Sequence, residues 1–275
     1  MKFAGRFSSV ALALCCGLAA PGWAADPDGC APLHALPGYQ AAADGLRRRA
    51  YDEAEFTVQH GNGNQTAGIA GVFCAQRYVP EQGHSPKTDA EIQSAYREQL
   101  EKDGAQLLYA DAHRTDARWI DHGRDLWIKV DSQGGTVQVT VVARGAPSQV
   151  LTAPEGGDYP LLGHMPNYVA GPPRRNDSGT LAFQTQAGGK IENVEVHGQE
   201  YAVAYRLKPG VEPNSDLDIQ VNYRNALKEL GAKILFVDEH DTVARLQRDG
   251  RPTWIKVSSR ETAIDVAVIE ERASR

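Results

Sequence analysis

Apolar residues at helical spacing mark one segment in the first half of the chain. Ile92, Tyr96 and Leu100 lie four residues apart, which places all three on one face of a helix. Thr88 precedes this stretch and is followed three residues later by a glutamate, the spacing of a capping box. Gly104 follows the stretch, where a positive φ costs glycine little. The pattern predicts an amphipathic helix between Thr88 and Gly104.

The same pattern returns 127 residues later. Segments 78–142 and 205–269 align without a gap, and 26 of the 65 aligned positions are identical. Ser215 and Gly231 take the places of the first helix's starting and ending residues. Self-similarity at a fixed offset indicates a repeated structural unit. The sequence therefore predicts one unit present twice.

Short alternating stretches surround both predicted helices. Leu126, Ile128 and Val130 alternate with Trp127 and more polar neighbours, which is typical of a strand with one buried face. Further extended stretches are predicted at 52–59, 69–78, 106–111, 115–120, 137–141, 180–185, 191–197, 201–207, 233–238, 242–247 and 264–268. We therefore predict an α+β fold of two tandem homologous domains, each an antiparallel sheet with one principal helix packed on one face. Capped helices between the strands argue against an outer-membrane barrel.

The predicted domain boundaries follow from composition. Residues 1–25 read as a signal peptide, 26–144 as the first domain and 158–275 as the second. Residues 145–157 are rich in glycine and proline, as expected of a linker.

The beginning of the chain has the order of an export signal. Lys2 and Arg6 precede a short apolar run at 8–20, and Gly22-Trp23-Ala24 or Trp23-Ala24-Ala25 then offers a small-residue cleavage site. The run is shorter than the roughly 20 residues that a membrane span needs, so no integral membrane span is expected there or later. We predict a periplasmic or secreted protein. Lipidation at Cys15 is the alternative, although the leucine before it fits a lipoprotein signal badly.

Loss of the signal leaves two cysteines, Cys30 and Cys74. A pair of cysteines in an exported chain indicates one disulfide, which would close a loop of about 43 residues and contribute roughly 3–4 kcal/mol. A reactive or metal-binding pair is the alternative, but no CxxC spacing supports it. Tyr201 occupies the position of Cys74 in the second copy, so only the first domain would be bridged.

Charge argues against nucleic acid as a partner. The chain has a net charge of −6, which loss of Lys2 and Arg6 would lower to −8. Phosphate binding requires clustered lysine and arginine, and the one dense basic run, Arg47-Arg48-Arg49, is interpreted as a solvated face.

A family resemblance rests on several short motifs. The opening Leu36-Pro37-Gly38-Tyr39, the helix that closes on Gly104-Ala105, and the series Ala117-Arg118, Gly123-Arg124 and Trp127-Ile128-Lys129-Val130 resemble the N-terminal region of some exported OmpA-family proteins. The resemblance covers nearly the whole mature chain as two copies. It implies a cell-envelope location and a non-catalytic role. We expect no OmpA-like peptidoglycan-binding domain here, because the second repeat runs to the end of the sequence.

The repeated motif Asp-x-His-x-Thr is the candidate for a catalytic role. It comprises Asp111 and His113 in the first copy and Asp238 and His240 in the second. A carboxylate next to an imidazole can orient a general base or contribute to a metal site. The alternative is turn chemistry, since Asp and Thr commonly serve at junctions between strands.

A candidate partner surface comprises Trp127, Lys129, Trp254 and Lys256. Each tryptophan lies on the strand face opposite the aliphatic residues, two positions before its lysine. An exposed tryptophan could stack on a sugar or anchor a partner protein. The alternative is that other parts of the chain cover this face.

We therefore predict a soluble periplasmic accessory or binding protein of the cell envelope, without catalytic residues, cofactor or metal. Its partner would be an envelope protein or a glycan. The alternative is an exported hydrolase or metal-dependent enzyme that uses the two Asp-x-His-x-Thr corners, in which case His113 and His240 should converge on one cleft.

Overall fold

The first repeat forms one antiparallel sheet and one helix. The computed structural model describes residues 34–61, 63–248 and 250–271. The six strands of the first sheet lie in the order β1-β2-β6-β5-β4-β3. The elements of this repeat are β1 (Tyr39–His60), β2 (Gly63–Pro80), α1 (Asp89–Lys102), β3 (Gln106–Ala110), β4 (Arg114–Asp121), β5 (Arg124–Gln133) and β6 (Thr136–Arg144).

The second repeat has the same order of elements. Its strands form a path β10-β11-β12-β13-β9-β7, and β8 also pairs with β9. The elements are β7 (Tyr168–Ala170), β8 (Arg174–Ala187), β9 (Lys190–Leu207), α2 (Asp216–Glu229), β10 (Lys233–Val237), β11 (Asp241–Arg248), β12 (Arg251–Arg260) and β13 (Ala263–Glu271). Each element from β2 to β6 matches one from β9 to β13 at the offset of 127, so β7 and β8 together correspond to the single strand β1.

The predicted α+β class is wrong. Strands make up 60% and helices 12% of the structure, which is a β-rich fold of two antiparallel sheets. The described residues contain two helices of 14 residues each. The strands were underestimated because the hairpin before each helix is longer than its apolar pattern suggests. β1 and β2 have 22 and 18 residues, whereas the alternation predicted 52–59 and 69–78.

The two helices begin and end as their sequences indicate. Thr88 and Glu91 form a complete capping box at α1, and Ser215 caps α2 by accepting a hydrogen bond from the Asp218 N–H. Gly104 follows α1 with a φ of 82°, the conformation that favours glycine at a helix end. The predicted helix bounds are therefore confirmed.

Each helix packs on the face of the sheet that carries alternate aliphatic residues. The buried face of α1 meets one apolar cluster, and α2 meets its counterpart. The first cluster includes Ile92, Tyr96, Leu100, Ile128, Val130, Val137, Val139 and Val141. Burial of such side chains contributes roughly 1.5–3 kcal/mol each, so this cluster is a main source of the repeat's stability.

The hairpin before each helix folds over the opposite face of the sheet. Shifts of register in β1 between Ala41 and Leu46, and again between Arg49 and Asp52, allow this strand to bend. Phe56 then packs edge-on against Trp127, with ring centroids 5.5 Å apart. This contact belongs to a second, smaller core, so the first sheet buries apolar side chains on both of its faces.

Segments from the two repeats contact each other. Arg49 in β1 donates a hydrogen bond to the Pro213 carbonyl oxygen at 2.8 Å, and Ser215 donates one to the Tyr51 carbonyl oxygen at 2.5 Å. The predicted linker 145–157 also packs on α2, where the Val150 N–H donates to Asn222 Oδ1 at 2.8 Å. The domain boundaries stay a prediction.

Among the described residues, neither helix is long and apolar enough to cross a membrane.

Candidate functional site

The aspartates of the two Asp-x-His-x-Thr corners hold tight turns between strands. Asp111 Oδ1 accepts hydrogen bonds from the backbone N–H of His113 at 2.8 Å and of Arg114 at 2.7 Å. Asp238 Oδ1 accepts the equivalent bonds from His240 at 2.8 Å and Asp241 at 2.6 Å. An Asp side chain that accepts from the backbone two residues onward forms an Asx-turn. The turn interpretation accounts for both aspartates.

The electrostatic environment keeps Asp111 in its carboxylate form. Partial burial by itself would raise the pKa of Asp111, but hydrogen bonds from Tyr109 and from the His113 and Arg114 backbone bring the pKa below its usual value. The Tyr109 hydroxyl lies 2.6 Å from Asp111 Oδ2. A carboxylate held this way is an acceptor of hydrogen bonds and a poor proton donor.

The two histidines pair with the first residue of the helix in their own repeat. His113 Nδ1 lies 3.1 Å from Asp89 Oδ2, and His240 Nδ1 lies 3.0 Å from Asp216 Oδ2. Asp89 also accepts from the backbone N–H groups of Gly134 and Gly135. Each histidine therefore joins a strand corner to a helix start, and its acidic partner belongs to its own repeat.

The two threonines bind a buried glutamine that sequence reasoning missed. Thr115 donates to Gln93 Oε1 at 2.7 Å, and the Gln93 amide donates to the His113 carbonyl at 3.0 Å and to Ser132 Oγ at 3.0 Å. Gln220 makes the corresponding bonds with Thr242 at 2.6 Å, His240 at 2.6 Å and Ser259 at 3.1 Å. Both glutamines are almost fully buried. Their repetition in the Ile-Gln-x-x-Tyr-Arg motif was the available signal.

The corners do not form the converging catalytic site that a hydrolase would require. His113 and His240 each lie against acidic residues of their own repeat, and among the described residues no contact links the two. Among residues 34–61, 63–248 and 250–271, no three His, Cys, Asp or Glu side chains are grouped so that they could hold a metal ion. The corner residues connect the helix of each repeat to the turn and to the strands that follow it.

The tryptophans of the candidate partner surface are covered by their own hairpins. Trp127 is 8% exposed and Trp254 is 7% exposed. Phe183 lies against Trp254 as Phe56 lies against Trp127, with centroids 5.5 Å apart in both pairs. Both tryptophan rings are therefore covered by other parts of the chain, namely by the hairpin of their own repeat.

The two lysines of that candidate surface are also engaged. Lys129 donates to the Glu55 carbonyl oxygen at 3.2 Å, and Lys256 forms an ion pair with Asp241 at 3.0 Å. Because both bonds fasten local structure, neither lysine with its tryptophan presents an open anchoring surface.

Cys74 lies buried in β2. Its predicted partner Cys30, the signal peptide and Cys15 lie outside the described residues, so the disulfide and export stay predictions.

The basic run near the start of β1 includes part of the contact between repeats. The Arg49 side chain is 8% exposed and lies 3.3 Å from Glu261 and 3.7 Å from Glu212. The interpretation of this run as a solvated face is therefore wrong for Arg49. A groove of about 560 Å³ lies beside this contact, lined by residues of both repeats that include Asp52, Glu53 and Glu239.

A second concave surface belongs to the first repeat alone. It has a volume of about 710 Å³, and polar side chains from three strand segments line it. Its lining includes His113, Arg114, Asp131, Gln133, Thr136 and Gln138.

No protein-family model matches this chain, and no curated protein sequence matches it either.

Proposed function

We propose that this chain is a soluble periplasmic accessory or binding protein of the cell envelope, and that it is not an enzyme. The observation that carries the proposal is the use of the two Asp-x-His-x-Thr corners. In both repeats the aspartate accepts hydrogen bonds from the turn backbone, the threonine donates to the buried glutamine, and the histidine lies within 3.1 Å of the aspartate at the helix start. Because these residues make the same structural contacts in both repeats, their presence in the sequence is explained without a catalytic role.

The resemblance to exported OmpA-family proteins supports the envelope location. An acidic chain whose longest basic run is three residues also favours a protein or glycan partner over nucleic acid. The polar hollow of the first repeat and the groove between the repeats are concave surfaces on which a partner could lie.

The proposal is tested by fractionation and by capture. We expect the mature chain in the periplasmic fraction, and we expect the bead-bound intact chain to retain a specific protein or glycan from a detergent-solubilised envelope extract. A bead-bound exported protein of unrelated fold is the control. Recovery of the chain from the cytoplasm, or of nothing above this control, would contradict the proposal.

The hydrolase alternative is tested separately. The double variant His113→Ala with His240→Ala removes both imidazoles, and we expect the purified native chain to show no hydrolytic activity that this variant could abolish. A hydrolytic activity of the purified protein that this variant loses, while its thermal unfolding stays unchanged, would establish the enzyme instead.

A further inference from the structure

One face of the first sheet carries a row of polar side chains beyond the part that the hairpin covers. Arg114 lies directly opposite Asp131, Asp131 opposite Gln138, and Gln138 opposite Arg77. Residues directly opposite on neighbouring strands point to the same face. Strands lie about 4.8 Å apart, so these four residues form a line roughly 15 Å long. We call them the polar row; three of them line the hollow of about 710 Å³.

The charges in the polar row are already paired. Arg114 Nε lies 3.3 Å from Asp131 and 3.5 Å from Asp116, and Arg77 forms an ion pair with Asp44 at 2.6 Å. An anionic ligand would therefore meet arginines whose charge is already compensated. A ligand for this surface should be uncharged.

Hydrogen-bonding capacity remains free along the row. Within the part of the chain that the structure describes, the terminal nitrogens of Arg114 have no hydrogen-bond acceptor. The same holds for the side-chain amide of Gln138 and for that of Gln133, which lines the hollow beside the row. Asp131 is 43% exposed and supplies acceptor oxygens. Donors and acceptors thus alternate on a surface without net charge, as the hydroxyl groups of a sugar chain require.

The second repeat lacks this surface although it has the same strands. Positions of the polar row are occupied there by Asp241, Ser258, Asp265 and Ala204. On the core side of the same strands, by contrast, Thr115, Val130 and Ser132 are matched by identical residues. The fold therefore requires the core face and does not require the polar row.

A buried carboxylate behind the row supports a function for it. Asp116 is fully buried, and its Oδ1 has no hydrogen-bond partner, while Oδ2 accepts from the Thr57 N–H at 2.8 Å. Burial raises the pKa of Asp116, although the Thr57 N–H and nearby cations oppose this. A buried, incompletely bonded polar group costs free energy, and the second repeat has Val243 in its place. The first repeat retains this costly residue on the same face of β4 as Arg114, whose Nε lies 3.5 Å from it.

We propose that the polar row binds an extended, uncharged glycan strand, with successive sugars lying across successive strands of the sheet. This inference rests on the proposed binding function and names its ligand class. A protein partner is disfavoured because no aromatic or large aliphatic side chain lines the hollow, and such side chains supply most of the energy at protein interfaces.

The test is a titration of the intact mature chain with two neutral β-1,4-linked tetrasaccharides, of N-acetylglucosamine and of glucose. A tetragalacturonate serves as the charged comparison and an uncharged extended tetrapeptide as the peptide comparison. We expect saturable binding of at least one neutral tetrasaccharide by calorimetry, and shifts of the Gln138 side-chain amide signals in NMR spectra. Gln138→Ala and Asp131→Ala should each weaken binding about tenfold or more.

A matched control is available in the second repeat. Asp265 occupies the position of Gln138 and is exposed, so Asp265→Ala should leave the affinity unchanged. Thermal unfolding of all three variants shows whether they remain folded. Equal affinity in all variants would place the glycan elsewhere and overturn the inference, as would preference for tetragalacturonate or for the peptide, or no binding of either neutral sugar.

Failure of this inference can be told from failure of the proposed function. If no tetrasaccharide binds but the intact chain captures an envelope protein, the glycan inference is wrong and the binding function stands. If neither experiment detects a partner, both are wrong.

Discussion

A single buried glutamine in each repeat connects the helix to the strand meander. Gln220 is 1% exposed, and its amide bonds to the His240 carbonyl, Ser259 and Thr242. We predict that Gln220→Leu lowers the free energy of unfolding by about 2–4 kcal/mol, because it leaves several buried polar groups without a partner. Urea denaturation followed by circular dichroism would measure the loss.

The same helix supplies the control for that substitution. Glu229 is an exposed residue of α2, and Glu229→Ala should change the free energy by no more than about 0.5 kcal/mol. A loss below about 1 kcal/mol for Gln220→Leu would show that solvent reaches the site or that the strands rearrange.

Asp111 makes the stability of the first corner depend on pH. Its pKa in the folded protein lies below the usual value, because hydrogen bonds to the carboxylate outweigh the effect of burial. Its contribution is therefore present above the unfolded-state pKa and is lost as the pH falls through the lower folded-state pKa. We predict that Asp111→Ala lowers the free energy of unfolding by about 1 kcal/mol at neutral pH, and that this difference shrinks below pH ~4.

A series of urea denaturations between neutral and acidic pH would measure this dependence. Tyr109→Phe is the milder companion variant, since the second repeat has Phe236 at that position and lacks the corresponding hydroxyl bond. A difference that grows as the pH falls would contradict the assigned direction of the pKa shift.

The roles of these residues could be only partly predicted from the sequence. The repeated motif singled out His113 and His240, and the structure places each of them beside the first residue of a helix. Their acidic partners could not be found, because Asp89 and Asp216 precede them by 24 residues and are brought close only by helix packing. The Gln93 and Gln220 bonds were missed for the same reason, since glutamine within a helix is ordinarily a surface residue.

At the scale of elements, a contact between two tyrosines in the second repeat indicates which positions a disulfide would join in the first. In the second repeat Tyr159 contacts Tyr201, with ring centroids 5.6 Å apart. Tyr201 corresponds to Cys74, and an ungapped alignment from Tyr39 and Tyr168 backwards brings Cys30 to the position of Tyr159. The same pair of positions thus carries either two tyrosines or two cysteines.

We therefore predict that Cys30 and Cys74 form a disulfide under oxidising conditions. Cys30 lies outside the described residues, so this prediction rests on the equivalence of the repeats. In denaturant without reductant, the mature chain should show no alkylation at either cysteine, and peptide mass spectrometry should detect the linked pair. The double variant Cys30→Ser with Cys74→Ser should lose roughly 3 kcal/mol of stability. Complete alkylation before reduction would contradict the pairing.

The helices were easier to predict than the hairpins. Their capping residues, apolar face and terminal glycines are all local in sequence, so α1 and α2 were located correctly. The N-terminal half of β1 contains the run Arg47-Arg48-Arg49 and several alanines, which have low strand propensity or high charge. Pairing with β2 stabilises this segment as strand, and pairing between distant segments is not visible in an alternation pattern.

At the scale of the whole molecule, the residues that join the two repeats are not themselves repeated. Arg49, which lies between them, corresponds to Asn176 in the second repeat. Its ion-pair partners Glu212 and Glu261 correspond to Ser85 and Gly134 in the first. The internal bonds of each unit are duplicated, whereas the charged contact between the units is made once. We infer that this contact is specific to the pairing of the first repeat with the second.

Arg49 should therefore couple the unfolding of the two repeats. Its buried guanidinium donates to the Pro213 carbonyl and lies against Glu212 and Glu261. Arg49→Ala removes these bonds and leaves the Pro213 carbonyl without its partner, which we expect to cost about 1–3 kcal/mol. Because each repeat keeps its own helix and both of its cores, the loss of stability should affect the contact between the repeats.

We predict that one calorimetric unfolding transition in the native chain becomes two in the Arg49→Ala variant, and that small-angle scattering shows a larger radius of gyration. Asn176→Ala, at the equivalent position of the second repeat, should change neither measurement. A variant that still unfolds in one transition with an unchanged radius would show that other contacts, such as those of Ser215 and the segment at Val150, are sufficient to hold the repeats together.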